Sequence, residues 1–138
     1  MTYKTLLPTS LLALVAALAL QTAAAGPPTD VVAKYDKDND KTLDWNEVKD
    51  AAAAEFDRLD TNGDHSLDAK EAAGILGPKA FAAADADHDG TLSKEEYLRL
   101  AEKLFKQADA DHDGTLTADE LDSKSGKVLA RLIGRRGG

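Results

Sequence analysis

The chain has 138 residues, with 25 acidic against 17 basic side chains and a formal net charge of −8. That sign argues against phosphate contacts and so against nucleic acid as a partner, and the lack of cysteine excludes disulfides and a cysteine-linked lipid anchor. One domain is expected at this length, and an acidic chain with only 5% aromatic residues sits near the disorder boundary unless its charges are neutralised.

Residues 1–25 read as an export signal. Lys4 supplies a positive start, residues 11–20 (LLALVAALAL) an apolar run, and Ala23, Ala24 and Ala25 a small-residue cleavage site before Gly26. The run is shorter than the ~20 apolar residues of a membrane span and no basic stop signal follows it. Cleavage is therefore expected over an uncleaved anchor, with no stable membrane insertion afterwards and a periplasmic or secreted location. The mature part, 26–138, then has 113 residues and a net charge of −9 as a single metal-binding domain. Gly26-Pro27-Pro28 is expected to form a short extended leader.

Four acidic twelve-residue windows follow, at 36–47, 60–71, 85–96 and 109–120, with starts separated by 24, 25 and 24 residues. Each has Asp or Asn at positions 1, 3 and 5, Leu at position 8 and Glu at position 12. The flanks repeat too. Val32, Phe56, Phe81 and Phe105 stand four residues before the windows, and Val48, Ala72, Tyr97 and Leu121 one residue after them. Repetition at this depth predicts repeated helix–loop–helix units.

The gaps constrain the fold. VKDAAAAEFDRL and YLRLAEKLFKQA contain neither Gly nor Pro and are too short for two helices and a linker, so each predicts a single helix, near 45–59 and near 94–108. Such a helix spans roughly 21 Å at ~1.5 Å per residue, which puts loops 1 and 2 at its opposite ends. Gly77-Pro78 in the middle gap is a helix stop and restart that lets the chain reverse. The expected fold is all-α: a compact bundle of about three main helices with four closely spaced loops. Loops 2 and 3 pair at one end and loops 1 and 4 at the other, through the position-8 leucines. A last amphipathic helix at about 118–133 closes the bundle with Leu121, Val128, Leu129, Leu132 and Ile133.

The windows have the ligand spacing of EF-hand calcium loops, in which a hard cation takes six to eight oxygens. Loop 3 offers Asp85, Asp87, Asp89, the Thr91 carbonyl, Ser93 and Glu96, with Gly90 at the turn. Loop 4 offers Asp109, Asp111, Asp113, the Thr115 carbonyl, Thr117 and Glu120, with Gly114 at the turn. Loop 1 offers Asp36, Asp38, Asp40, the Thr42 carbonyl, Asp44 and Glu47. Loop 2 offers Asp60, Asn62, Asp64, the Ser66 carbonyl, Asp68 and Glu71. Loops 1 and 2 carry Lys41 and His65 where the turn glycine is expected, and an extra carboxylate at position 9. His65, His88 and His112 have no partner at zinc spacing and read as exposed loop residues. Arg131, Arg135 and Arg136 read as a solvated basic tail, and no nucleophile–base pair suggests an enzyme.

With these loops, their close spacing, the segments AAAAEFDRLD and GTLSKEEYL and the closing VLARLI, the chain resembles lanmodulin, the periplasmic lanthanide-binding EF-hand proteins of methylotrophic bacteria. The resemblance implies a three-helix bundle, export, and folding on trivalent rare-earth ions. The sequence departs from that pattern at position 2, where Lys37, Thr61, Ala86 and Ala110 replace Pro, and at position 9, where only loops 1 and 2 carry Asp. The expected ligand is Ca2+, with lanthanide(III) ions as the alternative. The expected role is a buffer or carrier that is monomeric when metal-loaded. A calcium sensor acting on a protein partner is the competing reading, disfavoured because sensors use Met-rich surfaces and Met1 is the sole methionine.

Overall fold

The computed structural model describes residues 28–134; the expected signal, and Arg135 and Arg136, lie outside them. The elements in chain order are α1 (Pro28–Tyr35), β1 (Leu43–Asp44), α2 (Trp45–Leu59), β2 (Ser66–Leu67), α3 (Pro78–Ala84), β3 (Leu92–Ser93), α4 (Lys94–Ala108), β4 (Thr115–Leu116), α5 (Ala118–Leu121) and α6 (Lys124–Leu132). The helices α2 and α4 each run 15 residues without interruption, as the two Gly- and Pro-free gaps require.

Their limits are set by the loops themselves. The position-9 residues Asp44, Ser93 and Thr117 are the N-caps of α2, α4 and α5, and each forms a capping box with the glutamate three residues on. At the other end, the N–H of Asp36, Asp60, Asp85 and Asp109 donates to the carbonyl of Val32, Phe56, Phe81 and Phe105 at 2.8, 3.0, 2.9 and 2.9 Å. Each acidic loop therefore closes the helix before it and, in three of the four cases, opens the helix after it.

The strands form two antiparallel pairs. β1 pairs with β4 (Leu43 opposite Leu116) and β2 with β3 (Leu67 opposite Leu92). All four position-8 leucines are fully buried, and each such burial contributes ~1.5–3 kcal/mol. The rings of Trp45 and Phe105 meet edge to face at 5.7 Å, and those of Phe56 and Tyr97 at 5.6 Å. This register makes α2 and α4 antiparallel. Loops 1 and 4 thus share one end of the bundle and loops 2 and 3 the other, as expected. Helix α6 packs along α4, while α1 lies against α5 and α2. Among the described residues no helix is long and apolar enough to cross a membrane.

Three local expectations are corrected. Pro28 does not belong to an extended leader; it is the first residue of α1, where a fixed φ suits a helix start and the missing N–H is not needed. The exit from loop 2 is a run of turns over 69–75 rather than a helix. Its bonds mix spacings (Ile75 N–H to the Ala72 carbonyl at 2.9 Å, Leu76 N–H to the same carbonyl at 2.8 Å), because Gly74 and the Gly77-Pro78 stop leave too few helix-forming residues. The last helix is not continuous over 118–133. It breaks between α5 and α6, where the Ser123 hydroxyl accepts the Gly126 N–H at 3.0 Å and restarts the helix in a new direction. Gly126 permits that turn, since a Cβ there would lie 2.5 Å from the Leu121 Cα. The closing residues Leu121, Leu129, Leu132 and Ile133 are nevertheless buried, with Val128 packed against them.

Candidate functional site

The four loops share one hydrogen-bond plan. The position-1 carboxylate gathers N–H groups from the turn: Asp36 accepts from Asn39 and Lys41 (2.7 and 2.9 Å), Asp60 from Gly63 and His65 (2.8 and 3.0 Å), Asp85 from Asp89 and Gly90 (3.2 and 3.0 Å), and Asp109 from Asp113 and Gly114 (3.2 and 3.1 Å). At position 5, Asp40, Asp64, Asp89 and Asp113 accept the N–H and the hydroxyl of Thr42, Ser66, Thr91 and Thr115.

The closing glutamate ties the two ends of each loop together. One oxygen of Glu47, Glu71, Glu96 and Glu120 accepts the position-2 N–H of Lys37, Thr61, Ala86 and Ala110 at 2.5, 2.9, 2.8 and 2.9 Å. The other accepts the position-9 N–H of Asp44, Asp68, Ser93 and Thr117 at 3.0, 3.1, 2.9 and 2.9 Å. Charge-assisted bonds of this kind are about twice as strong as neutral ones, and they tie the second and ninth residues of each loop to its twelfth.

Three loops bring their acids into a compact group. Asp36, Asp38 and Asp40 in loop 1, Asp85, Asp87 and Glu96 in loop 3, and Asp109, Asp111 and Glu120 in loop 4 each offer one oxygen apiece within 4.8 Å of the others. Loop 1 leaves Glu47 outside its group. Among the described residues loop 2 gathers no three acids so closely; its position 3 is Asn62, whose amide donates to Asp64 at 3.0 Å. The extra position-9 carboxylates do more than offer oxygens to an ion. Asp44 accepts the Glu47 N–H at 2.9 Å, and Asp68 accepts the Glu71 and Lys70 N–H groups at 3.0 and 2.6 Å. The signal for that capping role was present in the sequence as Asp, Ser or Thr followed three residues later by Glu.

Backbone conformation separates the loops further. Lys41, His65, Gly90 and Gly114 at position 6 are all left-handed (φ 71, 65, 86 and 87°), as expected for that turn. Position 4 is left-handed as well, at Asn39, Gly63, His88 and His112 (φ 64, 73, 58 and 59°), which sequence reasoning missed. Asn and His tolerate this region better than most residues, so exposed His88 and His112 have a backbone role and not a ligand role. Loop 1 is the one loop without glycine at either position.

Electrostatic stress shows at position 3 of loops 1 and 3. The Asp40 N–H pulls the Asp38 carboxyl downward, but desolvation with repulsion from Asp40 and Glu47 outweighs it and the net shift is upward. Asp87 is raised in the same way against the Asp89 N–H. Glu96 is held below its ordinary range by the Ser93 N–H. Burial would raise Glu120, yet bonds from Thr117 and Ala110 bring it below as well. Next to Glu96, the Tyr97 hydroxyl donates to the Leu132 carbonyl at 2.7 Å. That bond ties the exit of loop 3 to the end of α6, and burial pushes the phenol far upward.

Residues 79–101 and 100–123 match the EF hand family model. These two segments are EF hands. They contain loops 3 and 4, the two with glycine at position 6, and loops 1 and 2 repeat the EF-hand spacing and hydrogen-bond plan outside the matched segments. No curated protein matches the chain. Hard oxygen donors in EF hands, with acids already grouped, suit cations of the calcium class.

Proposed function

We propose that this chain is an exported, non-enzymatic EF-hand protein that binds up to four calcium-class cations and folds on them, acting as a metal buffer or carrier. The observation that carries this reading is the closing-glutamate bonding pattern shared by all four loops, including the two with Lys41 and His65 at the turn. Positions 1, 3, 5, 7, 9 and 12 of each loop would hold the ion. Four Ca2+ would bring +8 against the −9 of residues 26–138, so cations relieve the repulsion among the loop carboxylates, and metal affinity becomes folding free energy. Export rests on the signal-like residues 1–25, and the buffer role on the lack of a Met-rich surface.

A rare-earth ligand is the second reading. It is favoured by loop 1, where Asp36, Asp38, Asp40, Asp44 and Glu47 supply five carboxylates and attraction grows with ion charge. Two measurements test the proposal. Far-UV circular dichroism of the chain in chelator, and then with Ca2+, should show helix formation; unchanged helicity would sink metal-driven folding. Terbium emission sensitised by Trp45, position 10 of loop 1, should report occupancy. Displacement of nanomolar Tb3+ by millimolar Ca2+ would reject the rare-earth reading and leave the calcium reading standing.

A further inference from the structure

The chain has three asparagines, Asn39, Asn46 and Asn62, and of these only Asn62 is followed by glycine. Loop 2 exposes both residues of that pair. Gly63 is left-handed, and a Cβ built there would meet nothing within 4 Å, so the space beside it is open. The Asn62 Oδ1 accepts the Asp64 N–H at 2.9 Å, closing an Asx turn around Gly63, and its Nδ2 donates to Asp64 at 3.0 Å. The Gly63 N–H donates to Asp60 at 2.8 Å.

These bonds suit attack of the Gly63 nitrogen on the Asn62 amide carbon. A donor at Oδ1 stabilises the charge that develops there as the nitrogen adds, and Asp60 already shares the proton that the nitrogen gives up. We propose that Asn62 is a self-modification site that rewrites the ligand set of loop 2. A bond forms between the Gly63 nitrogen and the Asn62 Cγ, the Cγ–Nδ2 bond breaks, and the proton from Gly63 leaves on Nδ2 as ammonia. The product is a cyclic imide, which water opens. Opening at Cγ leaves an aspartate at position 62 in an unaltered backbone. Opening at the main-chain carbonyl leaves isoaspartate, with the backbone rerouted through the side-chain methylene. No oxidant is needed, and water is the sole co-reactant. The other asparagines lack these conditions. Asn39 precedes Asp40, whose Cβ and charge hinder an attacking nitrogen. Asn46 lies in α2, and the next N–H, of Glu47, is held by Asp44 in the helix cap at 2.9 Å.

The two products act oppositely on the loop. Aspartate raises its carboxylates from four to five, the number in loop 1, and strengthens the pull on a cation. Isoaspartate lengthens the main chain between positions 1 and 5 and spoils the spacing that the ligands require. That consequence rests on loop 2 being a cation site; the reaction itself does not.

The test ages the metal-free full chain at neutral pH beside a free peptide of residues 58–68. Peptide mapping by mass spectrometry should find the mass gain of an NH-to-O exchange at Asn62 and none at Asn39 or Asn46, and an isoaspartate-specific methyltransferase should label that residue. The chain should react within about tenfold of the peptide's rate, because nothing in the exposed loop shields the pair. Gly63→Ala should slow the gain by about tenfold, because its Cβ stands beside the attacking nitrogen; this covalent readout does not require the variant to fold. By calorimetry, the isolated isoaspartate form should take up about one Ca2+ fewer than the unaged chain, whereas Asn62→Asp should lose none. No gain at Asn62 once the peptide has reacted, equal gains at Asn39 and Asn46, or an undiminished rate in Gly63→Ala would overturn the proposal. Equal Ca2+ uptake by the isoaspartate form would overturn its effect on loop 2, whereas failure of the unaged chain to fill loop 2 would count against the four-site reading instead.

Discussion

Lys41 is the sharpest point at which to test how backbone strain sets metal affinity. It sits at φ 71°, exposed, and its N–H donates to Asp36 at 2.9 Å, a bond that glycine would keep. A left-handed L-residue costs ~1–2 kcal/mol, and glycine returns ~0.5–1 kcal/mol through the greater freedom of its unfolded chain. Lys41→Gly should therefore gain about 0.5–1 kcal/mol, or ~2–5-fold in affinity at loop 1, read from the midpoint of Trp45-sensitised terbium emission. Loss of the ammonium charge would act in the same direction, so Lys41→Ala serves as the control: it removes the charge and keeps the strain. The mirror experiment is Gly114→Ala in loop 4. Glycine there has φ 87°, and a Cβ would meet nothing within 4 Å, so the substitution isolates the backbone cost and should weaken that EF hand by ~1 kcal/mol. If Lys41→Ala and Lys41→Gly bind terbium equally well, strain at position 6 does not limit loop 1 and the reasoning is wrong.

Three further outcomes follow from the packing and the carboxylates. Gly126→Ala would stabilise a free helix by ~1 kcal/mol, but here its Cβ would strike the Leu121 backbone, so the metal-loaded melting temperature should fall by the equivalent of ~1–3 kcal/mol; a rise would contradict the close approach of α6 to α5. Leu116→Ala removes a fully buried leucine paired with Leu43, at a cost of ~2–5 kcal/mol. Terbium emission through Trp45 should weaken although loop 1 itself is untouched, and undiminished emission would show that β1 and β4 do not couple the loops. The folded-state pKa values of Glu96 and Glu120 lie below the ordinary 4.5, so their stabilisation is complete above that value and is lost as pH falls through the lower folded values. Helicity of metal-loaded protein should hold at neutral pH and drop only in that acid window, with a smaller acid-dependent loss in Glu96→Gln; a transition near pH 6 would assign the dependence to other groups.

The order of elements was legible because the loop chemistry doubles as helix punctuation. The residues expected to hold a cation also start and stop the helices: Asp60 and Asp109 close α2 and α4, and Asp44 and Ser93 open them. Gap length then separated loop 1 from loop 2 and loop 3 from loop 4, since a 15-residue helix cannot bring its two ends together, and the Gly77-Pro78 stop let the chain reverse so that loops 2 and 3 share one end and loops 1 and 4 the other. What escaped the sequence depends on contacts between distant segments or on backbone angles that residue types mark only faintly. The left-handed turn at position 4 is shared by Asn39, Gly63, His88 and His112, three residue types with no common motif. The break at Ser123 hides inside an otherwise helical pattern, and only the approach of Gly126 to the Leu121 backbone shows why the chain turns there.

The sequence by itself therefore determined the four acidic loops, the two long helices and the pairing of the loops, because these follow from local spacing and chain length. The tertiary structure alone decided where α5 gives way to α6, because the approach of Gly126 to the Leu121 backbone joins segments whose local pattern reads as one helix. It also decided that Glu96 faces two tasks, closing loop 3 and lining a groove between α3 and α4, because only the packing of α3 on α4 brings an apolar recess and a metal loop to the same carboxylate.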